Sequence, residues 1–374
     1  MLDPQEYLDI LKSGGVSFFA GVPDSLLKSI CACITDKLDR NDHIIAANEG
    51  GAVGLAIGHH LATGQIPLVY MQNSGLGNVV NPLMSLASPE IYGIPMVLMI
   101  GWRGRPGMKD EPQHVHQGRV TPDTLKAMNI DYIVLSDYIN EAKKQTNQAI
   151  QNAIANNCPI ALLIPKGTFG SYKFNQSFPK LTLEREDAII KVASSIEDNA
   201  AVVCTTGMPS RELFEYRARN GARHETDFLT VGGMGHASQI ALGLALKQPN
   251  RTVYCIDGDG AALMHLGAMA ISGNSGVSNF IHIVVNNGAH ESVGGQPTVG
   301  FAIDFPAIAK ACGYKTAVSI DSIEEIGKQV KAAQLVDGPT FIEIHVKTGH
   351  RDNIGRPTTT PAENKIAMME FLTK

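Results

Sequence analysis

The sequence predicts an α/β protein made of two doubly wound parallel sheets. Short apolar runs alternate with helical patterns along the whole chain, the rhythm of parallel strands joined by helical crossovers. Most runs end in glycines with small polar or acidic residues, as strands do where an open sheet meets a ligand. One irregular stretch, Gly167 to Lys180 (GTFGSYKFNQSFPK), splits the alternation into two halves of similar length. The expected domains are residues 1–170 and 183–374, with no middle domain in so short a linker.

In the first half, residues 4–13 form a helix, with Asp3 as N-cap and Pro4 at its first position. Val16 to Ala20 is a strand running into Gly21-Val22-Pro23-Asp24-Ser25, and a helix follows from Leu26. The strand 44–47 leads to Asn48-Glu49-Gly50-Gly51 and a small-residue helix, AVGLAIGHHLATG. The strand 68–71 ends in Gln72-Asn73-Ser74-Gly75-Leu76-Gly77-Asn78, and a helix reaches about Leu86. The strand 95–100 opens into the polar loop Gly101 to Arg119. A helix over 122–128, a strand near 132–135, a helix over 138–156 and the strand 160–164 complete this half. In the second half the strands are 201–205, near Leu229, 253–256, 280–285, 316–318 and 340–346. Helices fall over 185–197, from Ser210, and over 237–246, 308–312 and 322–334.

The 374 residues are 44% hydrophobic and 18% charged, with a net charge of −5. This is the balance of ordinary globular cores, and it favours neither nucleic acid nor an acidic membrane surface as a partner. Six cysteines without a CxxC pair suit buried thiols in a reducing compartment, so the expected location is cytoplasmic. The start, MLDPQEYLDIL, lacks the pattern of a secretory leader. No run approaches the roughly 18 apolar residues of a membrane span.

Chemistry concentrates at the strand ends. Val253 to Ile256 runs into Asp257-Gly258-Asp259-Gly260. A helical segment follows, and then Phe280 to Val285 runs into Asn286-Asn287-Gly288. In a parallel sheet both ends open on one side. Asp259 and Asn287 could then share a hard cation with a nearby backbone carbonyl, while Gly258 and Gly260 let the backbone approach a phosphate. Glu49 follows a strand and either transfers protons or simply stabilises a helix N-terminus. The loop 101–119 gathers Arg103, Arg105, Lys109, Asp110, Glu111, His114, His116 and Arg119. Its histidines suit proton transfer, and its arginines suit an anionic substrate. If extended, His114 and His116 face opposite sides, so one of them meets a site. His290 and Ser292 lie close in sequence to the metal candidates. The glycine run Gly232-Gly233-Met234-Gly235 is either a turn or an anion-binding helix entry.

Taken together, these pieces resemble the thiamine-diphosphate-dependent decarboxylases over nearly the whole chain. Within them, GVPDSLL (21–27), NSGLGN (73–78), KDEPQH (109–114), NNGAHESVGGQPT (286–298) and GRPTTTPAENK (355–365) resemble the branch of phosphonopyruvate and sulfopyruvate decarboxylases. The resemblance implies thiamine diphosphate and Mg²⁺ as cofactors. Asp259, the Asn287 side chain and the Ala289 carbonyl would bind the metal, and the Gly260 and Ala261 amides the diphosphate. Glu49 would bond the aminopyrimidine ring, Met234 would prop the cofactor, and the Gly232 carbonyl would accept from its exocyclic amine. The halves would be a pyrimidine-binding and a diphosphate-binding domain. Asp24 and His114 become candidates for proton transfer. Arg103, Arg105 or Lys109 would hold the phosphonate of a 2-oxo acid substrate. The family also implies an assembly of at least two copies with the cofactor between subunits. The adjacent His-His pair of pyruvate decarboxylases is replaced here by His114-Val115-His116.

Overall fold

Consecutive residues of a strand project to opposite faces, so an unbroken apolar run such as Leu68-Val69-Tyr70-Met71 needs a core on each side. The computed structural model, which describes residues 1–175 and 178–374, has both. Leu68 and Tyr70 enter one core with Val97, Met99 and Leu162. Val69 and Met71 enter another with Leu98, Ile100 and Leu163.

The first sheet contains β1 (Val16–Gly21), β2 (His43–Ile45), β3 (Ile66–Gln72), β4 (Met96–Gly101), β5 (Tyr132–Val134) and β6 (Pro159–Ile164), in the order β2-β1-β3-β4-β6-β5. The second contains β7 (Ala201–Cys204), β8 (Asp227–Leu229), β9 (Val253–Gly258) and β10 (Phe280–Asn286). Two short strands, β11 (Ala289–His290) and β12 (Gln296–Pro297), form a separate ribbon. The sheet is completed by β13 (Thr316–Ile320) and β14 (Thr340–His345), in the order β13-β14-β10-β9-β7-β8. The pairings described within both sheets are parallel. The second sheet also has two apolar faces, with Ile281, Ile283 and Val285 on one and Phe280 and Val284 on the other. No described helix is long and apolar enough to cross a membrane.

The chain divides into two compact units. One is Met1–Gln176 with His290–Gln296, and the other is Ser177–Ala289 with Pro297–Lys374. Residues 176 and 177 of the expected linker 167–180 lie outside the described residues. The sequence carries no visible sign that His290–Gln296 groups with the first unit, where Gln296 Nε2 donates to the Lys28 carbonyl at 3.3 Å.

Most elements fall where the sequence puts them; a helix over Pro361–Leu372 is additional, and three others differ. The small-residue helix begins at Glu49, with Asn48 as cap, so Glu49 is its first residue. The helical segment after Asp259 is two short helices, Asp259–Met264 and Ala268–Gly273, the second entered through Gly267. The largest difference lies in the loop 101–119. Its second half is helical, because a helix runs from Pro112 through Ala127 with Pro122 inside it. Proline has no N–H for the carbonyl one turn back. That carbonyl, Gly118 O, accepts instead from the Trp102 indole at 2.8 Å. The indole bond therefore replaces the hydrogen bond that Pro122 cannot make.

His43 on β2 is buried, its Nε2 2.8 Å from the Tyr70 hydroxyl. Burial lowers its pKa from 6.5 to about 4. Between those values the unfolded chain binds a proton that the folded chain refuses, so stability is lost as pH falls through this window, by up to about 3 kcal/mol. His43→Gln keeps a donor for Tyr70 and should flatten the fall in urea midpoint between pH 6.5 and 4. An unchanged slope would remove His43 as its source.

Candidate active site

In the first unit the candidate side chains sit just beyond the C-terminal ends of β1, β2, β3 and β4, where open parallel sheets bind ligands. Glu49 is buried and opens its helix. The cap is a side-chain bond, Gly51 N to Asn48 Oδ1 at 2.8 Å. Asn78 Nδ2 donates to Glu49 Oε2 at 2.7 Å and holds the carboxylate from the next strand end. Gly75 makes room for it, since a Cβ there would lie 2.4 Å from Glu49 Oε1.

Asp24 is fully buried. Gln72 Nε2 donates to its Oδ1 at 2.6 Å and Leu26 N to its Oδ2 at 2.9 Å. Ser74 Oγ fixes the glutamine by donating to its Oε1 at 2.8 Å. Burial pushes the Asp24 pKa up, against the pull of these bonds and of the Arg103 charge. The carboxyl is thus biased toward its protonated form while both oxygens stay partnered.

Arg103 is locked in place. Its backbone exchanges bonds with the Asn73 amide, at 2.9 Å from Asn73 Nδ2 to the carbonyl and 3.2 Å from the peptide N–H to Oδ1. Its guanidinium meets Asp110 in a two-point bond and donates to Ser25 Oγ at 2.8 Å. Burial works to raise the Asp110 pKa, but Arg103 and the Gly104 amide hold it below the usual range. The three loop cations left open by the sequence therefore differ. Arg103 is already paired, whereas Arg105 lies 5.4 Å over the Trp102 ring and Lys109 is exposed.

His114 and His116 lie on the helix Pro112–Ala127 and not on an extended loop. Two residues apart on a helix is about 200°, so they still diverge. His114 is half-buried with Nδ1 unpartnered, and burial followed by the Arg103 charge lowers its pKa. His116 is exposed, its Nδ1 3.0 Å from Arg119 Nη2. His290 and Ser292 fall in the segment grouped with the first unit, and burial takes His290 down to about 4.

In the second unit, β9 ends at Gly258, and Asp259 begins the next helix. Asp259 is buried and receives the Thr298 hydroxyl on Oδ2. Burial raises its pKa to about 6, opposed by that bond and by nearby backbone amides. Asn287 and Ala289 follow β10 and are also buried. Asn287 Oδ1 accepts from Ala289 N at 3.0 Å, and Gly288 between them has φ of +67°. Thr298 N donates to the Gly288 carbonyl at 2.9 Å. A Cβ at Gly300 would lie 2.8 Å from Asp259 Oδ2 and 2.7 Å from Asn286 Oδ1. Ala261 is buried in the helix that Asp259 opens, and Gly260 is partly exposed. Gly232 and Met234 are half-exposed in a turn after β8, with φ of +64° at Gly233 and +86° at Gly235.

The donor set fits a hard divalent cation. It offers a buried carboxylate, a side-chain amide oxygen and backbone carbonyls, and among the described residues no lysine or arginine forms a salt bridge with Asp259. A separate trio, Cys255, Asp257 and His282, lies in the strand interior, with His282 Nε2 3.6 Å from Asp257 Oδ2. His282 packs against Phe341 and Tyr314, whereas Asp257 is the penultimate residue of β9.

Several organising residues were not singled out from sequence. Asn78 and Gln72 stand in the polar run 72–78, but nothing local links them to Glu49 and Asp24. Thr298 and Gly300 come from a segment far along the chain from Asp259.

Residues 5–133 match the family model described as thiamine pyrophosphate enzyme, N-terminal TPP binding domain, and residues 205–344 match its C-terminal counterpart. A phosphonopyruvate decarboxylase of Streptomyces viridochromogenes is 35% identical, over 96% of this chain and 92% of its own. One of Streptomyces hygroscopicus is 34% identical, over 100% of this chain and 95% of its own. A sulfopyruvate decarboxylase of Methanosarcina acetivorans is 28% identical over 94% and 93%. With two binding domains, no domain between them and relatives matched almost end to end, the chain belongs to the thiamine pyrophosphate enzymes, among their decarboxylases.

Proposed function

We propose that the protein decarboxylates phosphonopyruvate to phosphonoacetaldehyde and CO₂, using thiamine diphosphate and Mg²⁺, as a step in phosphonate biosynthesis. The observation that carries the substrate is end-to-end similarity to two phosphonopyruvate decarboxylases at 34% and 35% identity. A sulfopyruvate substrate is the second reading, favoured by the fused relative at 28%.

When bound, thiamine diphosphate supplies the electron sink for the carbon–carbon bond that breaks. The chain's own residues bind, orient and move protons. Asp259, Asn287 and the Ala289 carbonyl would hold Mg²⁺, and the Gly260 and Ala261 amides would meet the diphosphate. Met234 and the Gly232 carbonyl would fix the ring end. Glu49, kept in one rotamer by Asn78 and Gly75, would bond a ring nitrogen of the aminopyrimidine. Asp24, with its pKa raised by burial, and His114, with its pKa lowered by burial, would move protons at the carbon that loses CO₂. The phosphonate would take Arg105 or Lys109, because Arg103 is balanced by Asp110. Glu49 belongs to the first unit and Asp259 to the second. In keeping with the family, a second copy of the chain completes each site, so the working assembly is at least a dimer. Six unpaired cysteines support a cytoplasmic setting.

The substrate reading is tested by CO₂ release from phosphonopyruvate, sulfopyruvate and pyruvate in parallel. Phosphonopyruvate should give the highest kcat/KM, and preference for either of the others would overturn the reading. Glu49→Gln should slow turnover by about a hundredfold or more in a folded protein. Gly75→Ala should slow it too, by pushing Glu49 aside, and near-wild-type rates in both would remove Glu49 from the chemistry. Asp259→Ala should abolish calorimetric binding of Mg²⁺ with thiamine diphosphate, and wild-type binding in that variant would refute its role as a ligand.

A further inference from the structure

Asn286 ends β10 fully buried. A buried side-chain amide has two donor hydrogens and a carbonyl to satisfy. Its Nδ2 donates to the Gly300 carbonyl at 3.0 Å and to Glu343 Oε1 at 2.8 Å, and its Oδ1 accepts from Gly288 N at 3.0 Å. The two backbone partners belong to the segments that form the candidate cation site. Gly288 stands between Asn287 and Ala289. Gly300 N donates to Thr298 Oγ1 at 3.0 Å, and that hydroxyl donates to Asp259. One amide therefore ties the turn that carries Asn287 and Ala289 to the segment that steadies Asp259.

Glu343 takes the second donor hydrogen of this amide. It sits on β14 and is buried, on the same sheet face as Phe341 and beside the strand that carries Asn286. Three groups hold its carboxylate. Asn286 Nδ2 bonds Oε1, His345 Nε2 lies 3.1 Å from Oε1, and Ser319 Oγ donates to Oε2 at 2.9 Å. A carboxylate taken out of water costs several kcal/mol unless such partners offset it. An apolar residue would serve sheet packing at this position without that cost. What an apolar residue cannot do is accept from the Asn286 amide and so help to hold it between the Gly300 carbonyl and the Gly288 N–H.

We propose that Glu343 and Asn286 form a positioning pair for the cation site, acting through Gly288 on Asn287 and Ala289 and through Gly300 and Thr298 on Asp259. The inference rests on the reading of Asp259, Asn287 and Ala289 as Mg²⁺ ligands. Partners that orient metal ligands are usually worth about tenfold to a hundredfold in affinity or activity.

The test is calorimetric titration of the apoprotein with Mg²⁺ in the presence of thiamine diphosphate, alongside steady-state rates over a range of Mg²⁺. Glu343→Leu should weaken Mg²⁺ binding by about tenfold to a hundredfold and raise the Mg²⁺ needed for half-maximal rate in step. At saturating Mg²⁺ and cofactor, kcat should fall by less than about threefold, which loss of general integrity would not spare. Glu343→Gln keeps an acceptor for Asn286 and should restore most of the affinity. If Glu343→Leu does not fold, Asn286→Ala reads the same link and should weaken Mg²⁺ to a similar degree. Folded variants that bind Mg²⁺ within about twofold of wild type, or a glutamine variant as weak as the leucine one, would overturn the pair. A wild type that binds no Mg²⁺ would overturn the cation reading itself, and the pair with it.

Discussion

A parallel sheet covered on both faces can keep polar groups in only two kinds of place: at strand ends, or inside with every polar atom partnered. That constraint governs this protein. The strands of both sheets are apolar on both faces. The carboxylates Asp24, Glu49 and Asp259 each lie shortly beyond a strand end, and each is buried. Because the strands run parallel, their ends collect on one edge of each sheet, and groups distant in sequence become neighbours there. Asn78 reaches Glu49 and Gln72 reaches Asp24 for this reason.

The two units meet the constraint differently. In the first, side chains do most of the holding. Gln72 and Asn78 hold the two carboxylates, Asn73 holds the backbone of Arg103, and Asp110 its guanidinium. In the second, Asp259 is met by one hydroxyl and by backbone amides. A carboxylate with so few charged neighbours retains its attraction for a cation, whereas the Arg103–Asp110 pair has largely spent its own. The same chemical group is thus a structural tie in one unit and a prospective ligand in the other, and the difference lies in what surrounds it.

This also sets how much could be read from sequence. The strands were legible because two-sided burial leaves continuous apolar runs, and the cap of the first helix was legible because Asp3 and Pro4 act locally. The motif residues Asp259, Asn287 and Glu49 were legible as polar groups just past strands. What stayed hidden depends on partners remote in sequence. Pro122 reads as a helix start until Trp102 is seen to take the Gly118 carbonyl. The excursion His290–Gln296 carries no compositional mark at all. The final helix, Pro361–Leu372, by contrast carries a local signal, since Thr360 and Glu363 spell a capping box at its start.

The glycines show the same division between what is local and what is remote. Each of the three strand-end carboxylates is seated against one. A Cβ at Gly101 would lie 2.1 Å from Asp24 Oδ2, at Gly75 2.4 Å from Glu49 Oε1, and at Gly300 2.8 Å from Asp259 Oδ2. None of the three needs a positive φ, so backbone conformation does not explain them. They are glycine because a carboxylate occupies the space a side chain would fill. In the sequence nothing local marks them, and their seating function becomes visible only when the fold brings each beside its acid. A buried acid packed this closely has little freedom of rotamer, which is the property a proton-transfer group or a metal ligand requires.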